Sequence, residues 1–217
     1  MRLSHNILIA LTVGLVTAGI AFWKQAGANE QVNADIPMVS QQEDAVFAGG
    51  CFWCVEADFD KVEGVLQTIS GYTGGHVSNP SYKQVTYEDT GHYEAVRVIY
   101  DPSVVSYEEL VEYFWRHVDP LDAGGQFCDR GDSYRTAIFV DNQNERDIAE
   151  SSRDAIDASG VLEAEIVTPI IDRSTFWPAE DYHQDYYQAN PIRYAYYRTS
   201  CGRDKRVKSL WGDEDLM

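Results

Sequence analysis

From residue 44 onward the chain alternates short apolar runs with stretches of helical period. Residues 44–48 read as a strand, Gly49 and Gly50 as a tight turn, and residues 51–61 as a helix with Phe52, Val55 and Phe59 on neighbouring turns. Residues 65–72 predict a second strand, followed by a loop over 73–80 in which Gly74-Gly75 and Asn79-Pro80 oppose regular structure. A third strand over 94–100 ends at Asp101-Pro102. Ser106 and Glu109 then form a capping box for a helix whose apolar face is Leu110, Val111, Phe114 and Val118, stopped by Asp119-Pro120. A strand over 133–140, a helix over 144–159 with the stripe Ile148, Ser152, Ala155 and Ile156, a Gly160 stop, and a strand over 164–171 complete the pattern. Strands interleaved with helices predict a layer fold, α/β or α+β, with helices packed on one sheet.

The start of the chain follows a different rule. Arg2 supplies positive charge, residues 7–23 carry no charge, and Ala26, Gly27 and Ala28 resemble a small-residue cleavage site. Residues 1–28 therefore read as a signal peptide or an N-terminal membrane anchor, residues 29–43 as a polar linker, and residues 44–217 as one catalytic domain. The expected location is outside the cytoplasm, periplasmic or anchored to the outer face of the inner membrane.

Charge narrows the partners. With 35 acidic against 17 basic residues the formal charge is −18, which repels phosphate backbones and excludes the basic footprint of a nucleic-acid binder. The four cysteines change the picture more. In an exported chain they would ordinarily form two structural disulfides, but Cys51 and Cys54 stand three apart after two glycines, Cys128 lies in a glycine-bearing loop and Cys201 near the C-terminus. That spacing fits redox chemistry better than stapling.

Cys51 opens a helix, where backbone N–H groups and the positive end of the dipole favour a thiolate, and the glycines before it let backbone approach a substrate closely. Phe52 and Trp53 read either as core or as an apolar wall for a substrate methyl group, since sulfur and methyl groups pack well on aromatic rings. Glu94 shares a strand face with Val96 and Val98. If that face is buried, desolvation keeps its proton near neutrality and makes it an acid; if not, it is an ordinary strand-end glutamate.

Gly50-Cys51-Phe52-Trp53 after a strand resembles the active-site signature of the A class of peptide-methionine (S)-S-oxide reductases. The resemblance continues in order through Gly71-Tyr72-Thr73-Gly74-Gly75, Asn79-Pro80-Ser81-Tyr82, Thr90-Gly91-His92-Tyr93-Glu94-Ala95-Val96, Asp129-Arg130-Gly131, Ser133-Tyr134-Arg135 and Ala179-Glu180-Asp181-Tyr182-His183-Gln184. It spans residues 45–211, and several ordered motifs are far more specific than one. It implies an α+β fold, a ferredoxin-like two-layer α/β sandwich with a mixed sheet, helices on one side and an extended, loop-rich C-terminal segment.

The resemblance also implies the chemistry: reduction of the S epimer of methionine sulfoxide, in proteins and as the free amino acid, without a cofactor or metal. Cys51 attacks sulfur, Glu94 donates a proton, and Tyr82, Tyr134 and Asp129 hold the sulfoxide with Phe52 and Trp53 as its apolar wall. The sulfenic acid left on Cys51 then condenses with a second thiol, and a thioredoxin-like donor reduces the disulfide. Cys201, in a flexible C-terminal context, is the favoured resolver and Cys54 the competitor; Cys128 is expected to be a bystander. The enzyme is expected to be a monomer repairing oxidised exported proteins. The rival readings are a thioredoxin-like disulfide oxidoreductase built on Cys51 and Cys54, and a zinc-stapled binding domain using all four cysteines.

Overall fold

The computed structural model describes residues 41–212. The targeting segment over 1–28 and all but the end of the linker lie outside the described residues. No helix among the described residues is long and apolar enough to cross a membrane.

The elements, in order, are β1 (Glu43–Gly49), α1 (Phe52–Phe59), β2 (Val65–Thr73), α2 (Tyr82–Tyr87), β3 (Tyr93–Tyr100), α3 (Tyr107–Arg116), β4 (Gly125–Gln126), β5 (Asp129–Arg130), β6 (Thr136–Val140), α4 (Gln143–Ser159), β7 (Ile170–Asp172), β8 (Trp177–Pro178), α5 (Tyr186–Ala189), α6 (Pro191–Cys201) and α7 (Arg203–Trp211). One six-stranded sheet runs β7-β6-β1-β3-β2-β8, and β4 and β5 form a separate hairpin. All pairings in the sheet are antiparallel except β6 with β7. The central β6-β1-β3-β2 order, with α1 after β1 and α3 after β3, is the expected ferredoxin-like arrangement, extended by one strand at each edge.

Alternation along the strands builds two interiors. Ala45 and Phe47 of β1, with Val96 and Val98 of β3, face the helix layer with Val55, Phe59, Leu110 and Phe114. The Phe47 ring is wholly buried and stacks between Phe59 (5.0 Å) and Phe114 (5.2 Å). The opposite face gathers Val46, Ala48, Ala95, Ala137 and Phe139 under Ile171 and Phe176. Burying a side chain such as Phe47 stabilises the fold by about 1.5–3 kcal/mol.

The predicted capping box is present: Ser106 Oγ accepts from Glu109 N (3.2 Å) and Glu109 Oε2 from Ser106 N (2.8 Å). Asn142 caps α4, and Gly160 ends it with φ +66°.

Three expectations are corrected. The strand over 164–171 shrinks to Ile170–Asp172, because Pro169 has no N–H to give a ladder; its carbonyl instead accepts from Ile138 N at 3.1 Å. In α4 Ala155 is exposed, and the buried position is Ala149. The C-terminal segment is loop-rich only to about residue 185, then helical. Pro191 starts α6, and Gly202, with φ +74°, turns the chain into α7. Cys201 is therefore the last residue of a helix and not part of a flexible tail.

Candidate active site

The site begins where β1 stops. Gly50 has φ +84°, and a Cβ there would stand 2.5 Å from Gln126 Cβ. Gln126 cannot yield, since its Oε1 accepts from Asp119 N and its Nε2 donates to Asp119 O, both at 2.8 Å. Only glycine fits this close, left-handed turn, which delivers Cys51 to the N-terminal cap of α1. Cys54 lies one turn on, its N–H bonded to Cys51 O at 3.0 Å. Both are free thiols, and the two residues are 6% and 2% exposed.

Glu94 reaches the same point from β3. The residue is 1% exposed, and Oε2 accepts from Phe52 N, the amide that follows the nucleophile, at 3.0 Å. Among the described residues Oε1 lacks a hydrogen bond of ordinary geometry, with Tyr134 approaching the carboxyl. Burial first, then the neighbouring Asp129 and Cys54, push the Glu94 carboxyl up to about 8, so near neutral pH it keeps its proton. The buried strand face that makes it an acid is present.

The two thiols share their charge unevenly. Burial, then the hydrogen bond and charge of Cys54, then Glu94, push the Cys51 thiol well above the usual range. Cys54 is lowered by the hydrogen bond from Cys51, with Arg203 and Arg198 assisting. Burial and these neighbours thus oppose the thiolate that the helix start favours at Cys51. The Cys51–Cys54 hydrogen bond couples the two sulfurs, raising Cys51 and lowering Cys54.

Aromatic groups close the surroundings. Phe52 is 1% exposed and packs against Tyr72, Tyr82 and His183. Trp53 is half-buried, stacks on Tyr186 at 3.7 Å, and donates through Nε1 to His183 Nδ1 at 3.1 Å. That bond, with burial holding the His183 imidazole below its usual range, makes it neutral with its proton on Nε2. Tyr82 and Tyr134, both half-buried, interact with each other, and Tyr134 also reaches Glu94. Both phenols are raised, chiefly by burial, and stay neutral donors.

A second group adjoins the first. The Tyr197 phenol donates to Asp129 Oδ2 and also lies in hydrogen-bonding reach of Cys51. Cys201 Sγ stands 3.8 Å from that same Asp129 oxygen and is disulfide-bonded to Cys128. The α6–α7 segment that carries Tyr197 and Cys201 is tied down by charge: Arg198 Nη1 meets Asp58 Oδ1 at 2.8 Å, and buried Arg203 donates to Gly49 O (3.1 Å) and His117 O (2.9 Å).

A family model for peptide methionine sulfoxide reductase matches residues 43–215. The chain belongs to the peptide methionine sulfoxide reductase family. It is 56% identical over 169 residues to peptide methionine sulfoxide reductase MsrA 2 of Rhizobium meliloti, covering 78% of this chain and 83% of that one. It is 49% identical over 175 residues to the MsrA of Bacillus licheniformis, covering 81% and 97%. Among solved structures it is similar to methionine sulfoxide reductase A of Corynebacterium diphtheriae (TM-score 0.62, 32% identity, 70% and 76% covered). It is also similar to reduced Mxr1 of Saccharomyces cerevisiae (TM-score 0.63, 30% identity, 69% and 86% covered).

In this reductase the nine expected site residues do not form one uniform cluster. Cys51, Cys54, Glu94, Phe52, Tyr82 and Tyr134 converge at the start of α1, with Trp53 at its outer edge. Asp129 contacts Tyr197 and both sulfurs of the Cys128–Cys201 bond, and its carboxyl is raised by burial. Cys128, expected to stand apart from the cysteine chemistry, is disulfide-bonded to Cys201, which is therefore not bonded to Cys51. Sequence reasoning missed Tyr197, His183 and Arg203. His183 lay within a quoted motif but had no assigned role, and its partner Trp53 is 130 positions away. The rest of that motif is scaffolding: Glu180 accepts from Tyr72 OH and Tyr82 N, both at 2.9 Å, and Gln184 pairs with the Ser70 backbone. Family membership displaces the thioredoxin-like oxidoreductase reading.

Proposed function

We propose that the chain reduces the S epimer of methionine sulfoxide to methionine, with Cys51 as nucleophile and Glu94 as acid. The observation that supports this most is the Phe52 N to Glu94 Oε2 hydrogen bond, which sets a protonated carboxyl beside the attacking sulfur. Cys51 passes its proton to Cys54 as its sulfur attacks the sulfoxide sulfur. Glu94 protonates the departing oxygen, while Tyr82 and Tyr134 donate hydrogen bonds to the charge that develops there. The protonated oxygen then shifts from the methionine sulfur to Cys51 Sγ as the S–S bond between them breaks, so methionine leaves, Cys51 is a sulfenic acid, and the negative charge has moved from Cys54 to Glu94. Phe52 and Trp53 offer apolar surface to the S-methyl group.

Cys201 then attacks the sulfenic sulfur, forming a disulfide to Cys51 and expelling water. A thioredoxin-like dithiol restores the thiols. Arg2 and the uncharged run over 7–23 support a location outside the cytoplasm, so the donor must be exported or membrane-tethered. The enzyme acts as a monomer on oxidised proteins and free methionine sulfoxide.

Replacing Cys51 by Ser tests the reading. The variant should release no methionine from methionine sulfoxide in a single turnover, because a hydroxyl is far less nucleophilic than a thiol. Near-normal release would remove Cys51 from the chemistry.

A further inference from the structure

The Cys51 chemistry leaves one built redox element unused. Cys128, on the β4–β5 hairpin, is disulfide-bonded to Cys201 with 4.9 Å between the Cα atoms, while Cys51 and Cys54 stay reduced. The cysteines form a gradient of access: Cys51 and Cys54 are buried, Cys201 is half-buried and Cys128 is exposed, with Gly124, Arg130, Gly131 and Asp132 exposed beside it. Asp129 spans the gradient. Its Oδ1 lies 3.8 Å from Cys128 Sγ, its Oδ2 lies 3.8 Å from Cys201 Sγ, and Oδ2 also accepts from Tyr197, whose phenol reaches Cys51.

Of the two residues in a Cys51–Cys201 bond, Cys51 is 6% exposed and Cys201 only half-buried, so a protein-sized donor finds neither sulfur as open to in-line attack as that of exposed Cys128. The structure therefore poses a transfer problem, and the hairpin cysteine solves it. We propose that Cys128 is the terminal thiol of the recycling reaction: it takes the disulfide over from Cys201 and presents it at the surface to a thioredoxin-like dithiol. The inference rests on the reading that Cys51 becomes a sulfenic acid resolved by Cys201.

The exchange balances without another oxidant. The Cys128 thiolate attacks Cys201 Sγ of the Cys51–Cys201 bond; the Cys128–Cys201 bond forms, the old bond breaks, and the electron pair leaves on Cys51. The proton lost by Cys128 is returned to Cys51 through solvent. The product holds two free thiols inside and one disulfide outside, which is the state this structure has. The donor dithiol then attacks Cys128 Sγ, is oxidised to its own disulfide, and leaves Cys128 and Cys201 as thiols.

The test is Cys128→Ser in the full chain, compared with the unaltered protein. Both are fully reduced, given one equivalent of S-methionine sulfoxide, quenched with a thiol-blocking reagent and mapped by mass spectrometry. Turnover is then measured with thioredoxin, thioredoxin reductase and NADPH. The unaltered protein should release one equivalent of methionine and carry the Cys128–Cys201 bond. Cys128→Ser should release the same equivalent but halt at Cys51–Cys201, and its thioredoxin-driven turnover should fall by about an order of magnitude. A variant recycled by thioredoxin at the unaltered rate would overturn the relay. So would an unaltered protein that ends as Cys51–Cys54 with Cys128 and Cys201 free. Absence of methionine from the unaltered protein would sink the underlying reading as well, and that outcome is distinguishable because it precedes any recycling.

Discussion

Replacing Glu94 by Gln keeps the shape of the side chain and removes its transferable proton. With the carboxyl at about 8, about nine tenths of the protein carries that proton at pH 7 and about one tenth at pH 9. The first step should therefore rise as the Cys51–Cys54 pair loses its proton and fall above pH 8 as Glu94 loses its own. Positioned general acids contribute about 10²–10⁴-fold, so Glu94→Gln should slow single-turnover methionine release by that range at pH 7. It should also erase the falling limb, leaving only the rise. Stability gives an independent readout with the sign fixed by burial. The folded carboxyl titrates above its ordinary value of 4.5, so its contribution is fully present below pH 4.5 and is lost as pH rises through 8. The loss is on the order of 4–5 kcal/mol, and Glu94→Gln should flatten the fall in Tm across that window. Stopped-flow methionine release and melting curves from pH 5 to pH 10 measure both. An unchanged single-turnover rate in the variant, or a rate flat above pH 8 in the unaltered protein, would refute the argument.

Three further outcomes follow from the geometry. Gly50→Ala must hold alanine at φ +84° with its Cβ 2.5 Å from Gln126 Cβ; strain and overlap together should cost about 2–4 kcal/mol in denaturant unfolding and slow Cys51 chemistry. Asp58→Ala leaves Arg198 and Arg203 without their shared buried carboxylate and should cost about 3–5 kcal/mol; a loss below about 1 kcal/mol would show that the clamp is not needed. Cys201→Ser should keep the first turnover and lose thioredoxin-driven cycling, with Cys54→Ser milder, and disulfide mapping of the two variants would reverse that order if Cys54 is the resolver.

Much of the fold was legible because burial imposes a period. Val96 and Val98 alternate, so the strand, its buried face and the place of Glu94 upon it follow together; the Ser106–Glu109 cap is written in four residues. Helix α6 was not legible for the same reason in reverse. No residue of α6 is buried, and the segment is held by Tyr187 to Asp60, Tyr197 to Asp129 and Arg198 to Asp58, contacts that leave no apolar stripe to read. The pairing of Cys128 with Cys201 spans 73 residues, and nothing local to either cysteine announces it. The thiol pair misled for a different reason: position at a helix start favours a thiolate, but the burial and the Cys54 and Glu94 neighbours that oppose it come from packing.

The proposed reaction is a stereospecific, Cys51-dependent reduction of methionine sulfoxide. Its most direct test is single turnover of the reduced protein on the separated S and R sulfoxide epimers, with methionine quantified against enzyme. One equivalent of methionine is expected from the S epimer, none from the R epimer, and none from either with Cys51→Ser. Equal yields from both epimers, or release from the S epimer that survives Cys51→Ser, would contradict it.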